Sequence, residues 1–204
     1  MRHSAVRLAL GLVAFILVGW AAGVLLIRAA GSSDLDVVRD IAVERSPQLT
    51  AAARAVTWAG SAIVLVPLAA VCCLLLLREG LRREAVAVAL SLAGAVVIYD
   101  AVKFLVSRPR PPVQHLQAVG GWSFPSGHAT QAAALWASLV LVLPAVGCTP
   151  AVARVAAGLA LALVIAVALS RVYLGVHYPG DVAAGLLLGT GWAMFVARCT
   201  RRRA

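Results

Sequence analysis

Residues 85–112 read AVAVALSLAGAVVIYDAVKFLVSRPRPP, an apolar run from Ala85 to Val106 interrupted only by Asp100 and Lys103 near its far end and then stopped by Pro109, Pro111 and Pro112. About 20 apolar residues in a helix cross a bilayer core of ~30 Å. Proline removes a backbone donor and clashes with the preceding turn, so the helix cannot run on. The run therefore reads as a membrane span that ends on a cationic, stiffened exit. Five other stretches come near the same length: Leu8–Ile27, Ala55–Leu77, Gly127–Leu143, Ala151–Ser170 and Gly180–Ala197. With 204 residues, 62% of them apolar and 13% charged, the chain falls outside the range of soluble domains. The expected fold is all-α, a six-transmembrane-helix bundle forming a single integral membrane domain over residues 1–204.

A net charge of +10 would suit a nucleic-acid binder. The chain has no aromatic-basic interleaving and no zinc-finger spacing, and its arginines sit mostly in short loops between apolar runs, so no nucleic-acid partner is expected. The charge reads instead as membrane orientation plus a site for an anion. Cys72, Cys73, Cys148 and Cys199 have neither metal-ligand spacing nor the pattern of a disulfide framework, and read as small apolar residues. The first apolar stretch follows Arg2 and Arg7, as a signal peptide would, but it exceeds the 7–15 residues of a usual h-region and reads as a retained anchor.

The positive-inside rule orients the spans. With both termini cytoplasmic, Arg2, Arg7, Arg78, Arg82, Arg83, Arg154, Arg198 and Arg201 to Arg203 face the cytoplasm. Arg28, Arg39, Arg45 and Arg54 lie opposite. The expected location is the cell (inner) membrane, multi-pass. Between the first two spans, Leu35, Val38 and Ile41 recur at helical spacing behind a candidate N-cap at Ser33, and Ser46-Pro47 marks a stop. A short amphipathic helix on the outer membrane surface is expected there, the alternative being a solvated loop.

Three polar islands stand where apolar runs begin or end: Lys103-x6-Arg110-Pro111, Pro125-Ser126-Gly127-His128, and Ser170-Arg171-x5-His177-x3-Asp181. Six alternating spans put all three on the same, extracytoplasmic side. In the third, Pro179 suits the first turn of a helix, which brings His177 and Asp181 together. A carboxylate that accepts one imidazole N–H leaves the other nitrogen as a nucleophile, whereas the plainer reading is a pair that caps a helix. In the second, a helix N-terminus offers free N–H groups, Gly127 allows close approach, Ser126 adds a hydroxyl, and His128 is placed to exchange a proton; an ordinary helix cap is the alternative. In the first, Lys103 and Arg110 supply cations, and a guanidinium holds two phosphate oxygens at once. Spacing alone leaves a second register open, Lys103-x4-Arg108-Pro109, and interfacial snorkelling is the plainer reading of the whole island. Asp100 reads as an ion-pair partner of Lys103. His115, in the loop between the first two islands, is a weaker candidate for substrate contact.

Taken together, in this order and spacing, the islands resemble the motifs of the type 2 phosphatidic acid phosphatase superfamily, and no motif residue is missing between Lys103 and Asp181. The resemblance implies an integral membrane lipid phosphate phosphatase and selects the register that ends at Arg110. It implies His177 as nucleophile, Asp181 as the residue that orients it, and His128 as general acid and then base. It also implies Lys103, Arg110, Ser126, Gly127 and Arg171 as the phosphate-binding set. No cofactor and no metal enter that scheme, and the sequence shows no carboxylate cluster suited to magnesium. A phosphomonoester carries about −1.5 to −2 charges, which three fixed cations and helix-end dipoles balance. The expected partners are the bilayer and a lipid phosphate substrate: phosphatidic acid, phosphatidylglycerol phosphate or a polyprenyl diphosphate. A phosphotransferase that uses the same phosphohistidine, and a non-catalytic headgroup binder or transporter, are the competing readings. Oligomeric state and lipid entry route are not legible in the residues.

Overall fold

The structure, a computed structural model, describes residues 2–30 and 32–200, with side chains from residue 5 onward. The orientation cues Arg2 and Arg201 to Arg203 therefore lie outside the described side chains. Among the described residues eight α-helices and one short 3₁₀ turn follow in order: α1 (Arg2–Ala30), α2 (Ser33–Val43), α3 (Pro47–Trp58), α4 (Ala62–Arg78), α5 (Arg82–Val106), α6 (Gly127–Val142), the 3₁₀ turn (Leu143–Val146), α7 (Pro150–Tyr173) and α8 (Pro179–Thr200). Among the described residues six helical stretches are long and apolar enough to cross a membrane, the second formed by α3 and α4 together. The all-α, six-span expectation holds.

The second span departs from the sequence reading. It was expected to run unbroken over Ala55–Leu77, but α3 ends at Trp58 and α4 starts at Ala62. Ser46-Pro47 is accordingly the start of a helix as well as a stop: Ser46 Oγ accepts from Leu49 N at 3.3 Å, and Pro47 occupies the first turn, where a missing N–H costs nothing. A break in a helix frees backbone groups that must find other partners. Here Gln131 Nε2 of α6 donates to Gly60 O at 2.7 Å. Gly60 also lets α7 come close, since a Cβ on it would fall 2.4 Å from Val167.

The expected amphipathic helix between the first two spans is α2, with Ser32 rather than Ser33 at the N-cap position; Ser33 Oγ instead donates back to Ala30 O at 2.6 Å. Its apolar stripe packs on protein. Val38 is fully buried among Ala129, Ala168, Val172, Tyr178 and Val182, with Leu35 and Ile41 alongside. The solvated-loop alternative is thereby excluded.

Helices α6 and α8 form the tightest pair, and small residues make it so. A Cβ on Gly189 would lie 2.1 Å from Thr130 O, and one on Gly185 would lie 2.9 Å from Ser126 O. Close backbone approach through small residues is how helices associate where lipid removes the hydrophobic drive. The same pairing joins the two helix starts, because Ser126 N donates to Asp181 O at 3.0 Å. Gly189→Val is expected to lower the thermal midpoint of detergent-purified protein severely. Overpacking costs about 1–3 kcal/mol, and a backbone oxygen cannot swing aside as a side chain does. An unchanged midpoint in a thermal melt would show that the two helices are not held this closely.

Candidate active site

The C-terminal end of α5, the start of α6, the end of α7 and the start of α8 meet at one end of the bundle, together with the 107–126 loop. Pro109, Pro111 and Pro112 keep α5 from continuing, and Ser107 closes it in the left-handed region at φ 50°. The chain then folds back across the bundle, where Ser123 N donates to Arg108 O at 2.8 Å.

His177 lies in the short connection between α7 and α8 and is almost completely buried. Its Nδ1 is 3.4 Å from Asp181 Oδ2, and its Nε2 is 3.4 Å from Arg110 Nη1. Arg110 can only donate, so the compatible tautomer carries its proton on Nδ1 toward Asp181 and presents the Nε2 lone pair toward Arg110. Burial pushes the imidazole pKa down to about 4, the largest influence, while the Asp181 hydrogen bond and charge pull it part of the way back. The ring is therefore neutral at physiological pH.

An unfolded histidine takes up its proton near pH 6.5, and this one near 4. The stability it contributes is intact above 6.5 and is lost as pH falls from 6.5 through about 4. The nucleophilic form likewise persists down to about 4. A titration of the ¹⁵N-labelled imidazole is expected to show its midpoint there; a midpoint near 6.5 would contradict this environment.

Asp181 is fully buried and heavily engaged. Its Oδ2 also accepts from Tyr178 N at 3.0 Å and from the hydroxyl of Ser123, and its Oδ1 accepts from Arg108 Nη1 at 2.7 Å. The two candidate arginines thus separate. Arg110 faces the nucleophilic nitrogen and is held by the carbonyls of Gly121 (3.1 Å), Gly120 (2.8 Å) and Val176 (2.6 Å). Arg108 lies behind the dyad, buried against Asp181 and Asp34.

Lys103 Nζ donates to the carbonyls of Trp122 at 2.6 Å and Ser123 at 3.4 Å. This corrects the expected ion pair: Asp100 is exposed, and no such pair with Lys103 occurs within 4.0 Å among the described residues. Arg171 is fully buried, with Nη1 donating to Thr57 Oγ1 at 2.8 Å and to Gln117 Oε1 at 2.5 Å. Its Nε has no hydrogen-bond partner among the described residues. At the start of α6, Ser126 Oγ caps Ala129 N at 3.5 Å, and the N–H groups of Gly127 and His128 have no intrahelical acceptor. His128 is half-buried beside the α3–α4 break and lies within electrostatic range of Arg171, His177, Arg110 and Lys103. His115 is exposed and its Nε2 is engaged with Pro111 O at 3.0 Å.

All eight predicted residues are thus at the same end of the bundle. Sequence reasoning missed Ser123, Thr57, Gln117 and Asp34. The first three carry no motif signal. Asp34 carried one: it stands four residues before Val38 and seven before Ile41, a charge on the buried stripe of an amphipathic helix. Among the described residues no group of three or more His, Cys, Asp or Glu side chains is arranged to hold a metal ion.

The family model described as PAP2 superfamily matches residues 84–204, more than half of the chain. The chain is 42% identical over 82 residues to lipid A 1-phosphatase of Rhizobium etli, covering 38% of this chain and 31% of that protein. It is 40% identical over 106 residues to decaprenylphosphoryl-5-phosphoribose phosphatase of Mycobacterium tuberculosis, covering 48% and 52%. The chain thus spans about a third to a half of the length of these curated relatives. The fold is shared with the crystal structure of a transmembrane PAP2-type phosphatidylglycerolphosphate phosphatase from Bacillus subtilis, at a TM-score of 0.81 and 23% identity, covering 91% of this chain and 93% of that one.

Proposed function

Because the chain belongs to the PAP2 superfamily, we propose that it is a membrane lipid phosphatase that hydrolyses a phosphomonoester or diphosphate of a lipid through a phosphohistidine, without a metal. The observation that carries this reading is the His177 environment: a buried, neutral imidazole whose Nδ1 is held by Asp181 and whose Nε2 faces a guanidinium. That is the arrangement of an activated nucleophile next to a cation that would hold a phosphoryl oxygen.

In this scheme Nε2 of His177 attacks phosphorus and forms the P–N bond as the bond from phosphorus to the lipid oxygen breaks. His128 gives its proton to the departing oxygen. It then takes a proton from water, whose oxygen displaces His177 and releases inorganic phosphate. Lys103, Arg110, Arg171, Ser126 and the first N–H groups of α6, including that of Gly127, hold the phosphoryl oxygens. The relatives named above are phosphatases acting on lipid A and on decaprenylphosphoryl-5-phosphoribose, in keeping with a lipid-linked substrate. So is an apolar cleft of about 490 Å³ between α2, α7 and α8, lined by Val37, Ile41, Leu169, Val172 and Ala183 and reaching Tyr173 and Pro179 at either end of the His177 connection. A lipid tail would stay in that apolar setting while its phosphate enters the polar end. With the orientation set by the loop arginines, the site faces the extracytoplasmic side.

The test is phosphate release by detergent-solubilised protein from phosphatidic acid, phosphatidylglycerol phosphate and undecaprenyl diphosphate, with a chelator present. Release from at least one is the expected result, and the rates rank the lipids. Phosphoryl transfer to an added alcohol with no free phosphate would identify a phosphotransferase instead. Tight binding of the lipids without turnover would identify a headgroup binder.

A further inference from the structure

We propose that Arg108 and Asp34 form a positioning pair that holds the Asp181–His177 dyad in register from behind, which makes α2 a working part of the site. The proposal rests on the phosphatase reading above. Asp34 lies outside the residues that match the family, and Arg108 occupies an unspecified position within Lys103-x6-Arg110-Pro111.

Arg108 is fixed on three sides. Nη1 donates to Asp181 Oδ1 at 2.7 Å, Nη2 donates to Asp34 Oδ2 at 2.9 Å, and the guanidinium lies 3.7 Å over the centre of the Tyr178 ring. Among the described residues it is the only partner of Asp181 Oδ1, whereas Oδ2 is shared by His177, Ser123 and Tyr178 N. The Oδ1 side of the carboxylate is therefore held by Arg108, while the Oδ2 side is held by Ser123, Tyr178 N and His177. Asp34 in turn anchors the guanidinium and, through Oδ1, accepts from Gly180 N at 3.0 Å in the first turn of α8. One carboxylate on α2 thus ties together the arginine behind Asp181 and the helix start that carries Asp181.

A role in stability alone is a poor account of this cluster, since a buried ion pair roughly breaks even against its desolvation cost. Orientation is a better one. Arg108 unopposed would draw the Asp181 charge away from Nδ1 of His177, and Asp34 shares that guanidinium and returns the pull to the imidazole. The other charged or titratable groups facing the dyad are Lys103 on α5, His128 on α6, Arg171 on α7 and Arg110 in the loop. None of these contacts Asp181 Oδ1.

The experiment begins with wild-type turnover of a lipid phosphate. If there is none, the phosphatase reading fails before the pair is tested. With turnover in hand, Asp34→Asn, Arg108→Met and the double variant are compared; Asn keeps an oxygen for Gly180 N but removes the charge. Losses of about 10- to 100-fold in kcat are expected for each single variant, with KM nearly unchanged, as for groups that orient an active side chain. The double variant should be no slower than Arg108→Met, because Asp34 acts through Arg108. The ¹⁵N midpoint of His177 should rise in Arg108→Met, which loses a cation, and fall in Asp34→Asn, which loses an anion. A mere folding defect would not move it in opposite directions. Should Arg108→Met fail to fold, Arg108→Lys takes its place, with a smaller loss expected because the cation is kept. Wild-type kcat in the single variants, independent multiplication of their effects, or an unmoved His177 midpoint would overturn the proposal.

Discussion

His177→Ala is expected to reduce phosphate release from every lipid that the wild type hydrolyses by about 10⁴-fold or more, since deletion of a covalent nucleophile removes the whole two-step route. The effect should fall on kcat, because Lys103, Arg110 and Arg171 would still hold the phosphoryl group. Folding is expected to survive. Among the described residues the His177 ring makes only long polar contacts of 3.4 Å, to Asp181, Ser123 and Arg110, and each of these keeps other partners: Asp181 keeps Arg108, Ser123 and the Tyr178 N–H, and Arg110 keeps three carbonyls. The space left by the imidazole is bordered by polar groups that keep their other partners, so the cost in stability should stay modest. The check is a pair of measurements on one preparation: phosphate release, and a thermal melt that shows the fold intact. Rapid-quench labelling adds a third, in which an acid-labile phosphoryl adduct forms on the wild type and not on the variant. Full turnover by His177→Ala would remove the histidine mechanism and leave only the membrane fold.

Asp181→Asn should lower kcat by about 10³- to 10⁴-fold, the loss seen when the partner of a catalytic histidine can no longer dictate its tautomer. Asn can turn an N–H toward Nδ1, which puts the ring proton on Nε2 and directs it at Arg110 instead of a lone pair at phosphorus. Stability should fall as well. Asp181 is fully buried and accepts from a guanidinium, an imidazole, a hydroxyl and a backbone N–H. Removal of one charge from such a cluster costs about 3–5 kcal/mol, tempered here because Arg108 keeps Asp34. Turnover and thermal midpoint should drop together, in contrast with His177→Ala. A variant that keeps wild-type kcat would show that the carboxylate does not control the tautomer.

The architecture was legible because membranes impose a one-dimensional code. A span must be about 20 apolar residues long, so helix count follows from run lengths, and the sharing of one end of the bundle by all three islands follows from alternation of spans. Helix starts were legible for a similar reason: Ser126 and Pro179 carry local signals that depend on a few neighbouring residues. The α3–α4 break was not legible. Ala59-Gly60-Ser61 is held open by a tertiary bond from Gln131 and by the approach of Val167, and without those partners the same residues read as a continuous span.

Sequence alone determined the membrane class, the six spans, the amphipathic stripe of α2 and the eight residues that converge on one end of the bundle, because each is encoded in spacing along the chain. Tertiary structure gave the two arginines, which spacing alone left open, their separate places. Arg108 and Arg110 both precede proline and are equivalent in spacing logic, yet the loop that closes through Ser123 turns one behind Asp181 and the other toward His177 Nε2. It also decided that Asp34, 147 residues before Asp181, belongs to the same charge cluster. Periodicity reports which face of an element is buried, but a bond between elements joined by long connections leaves no periodic trace and exists only once the helices have packed.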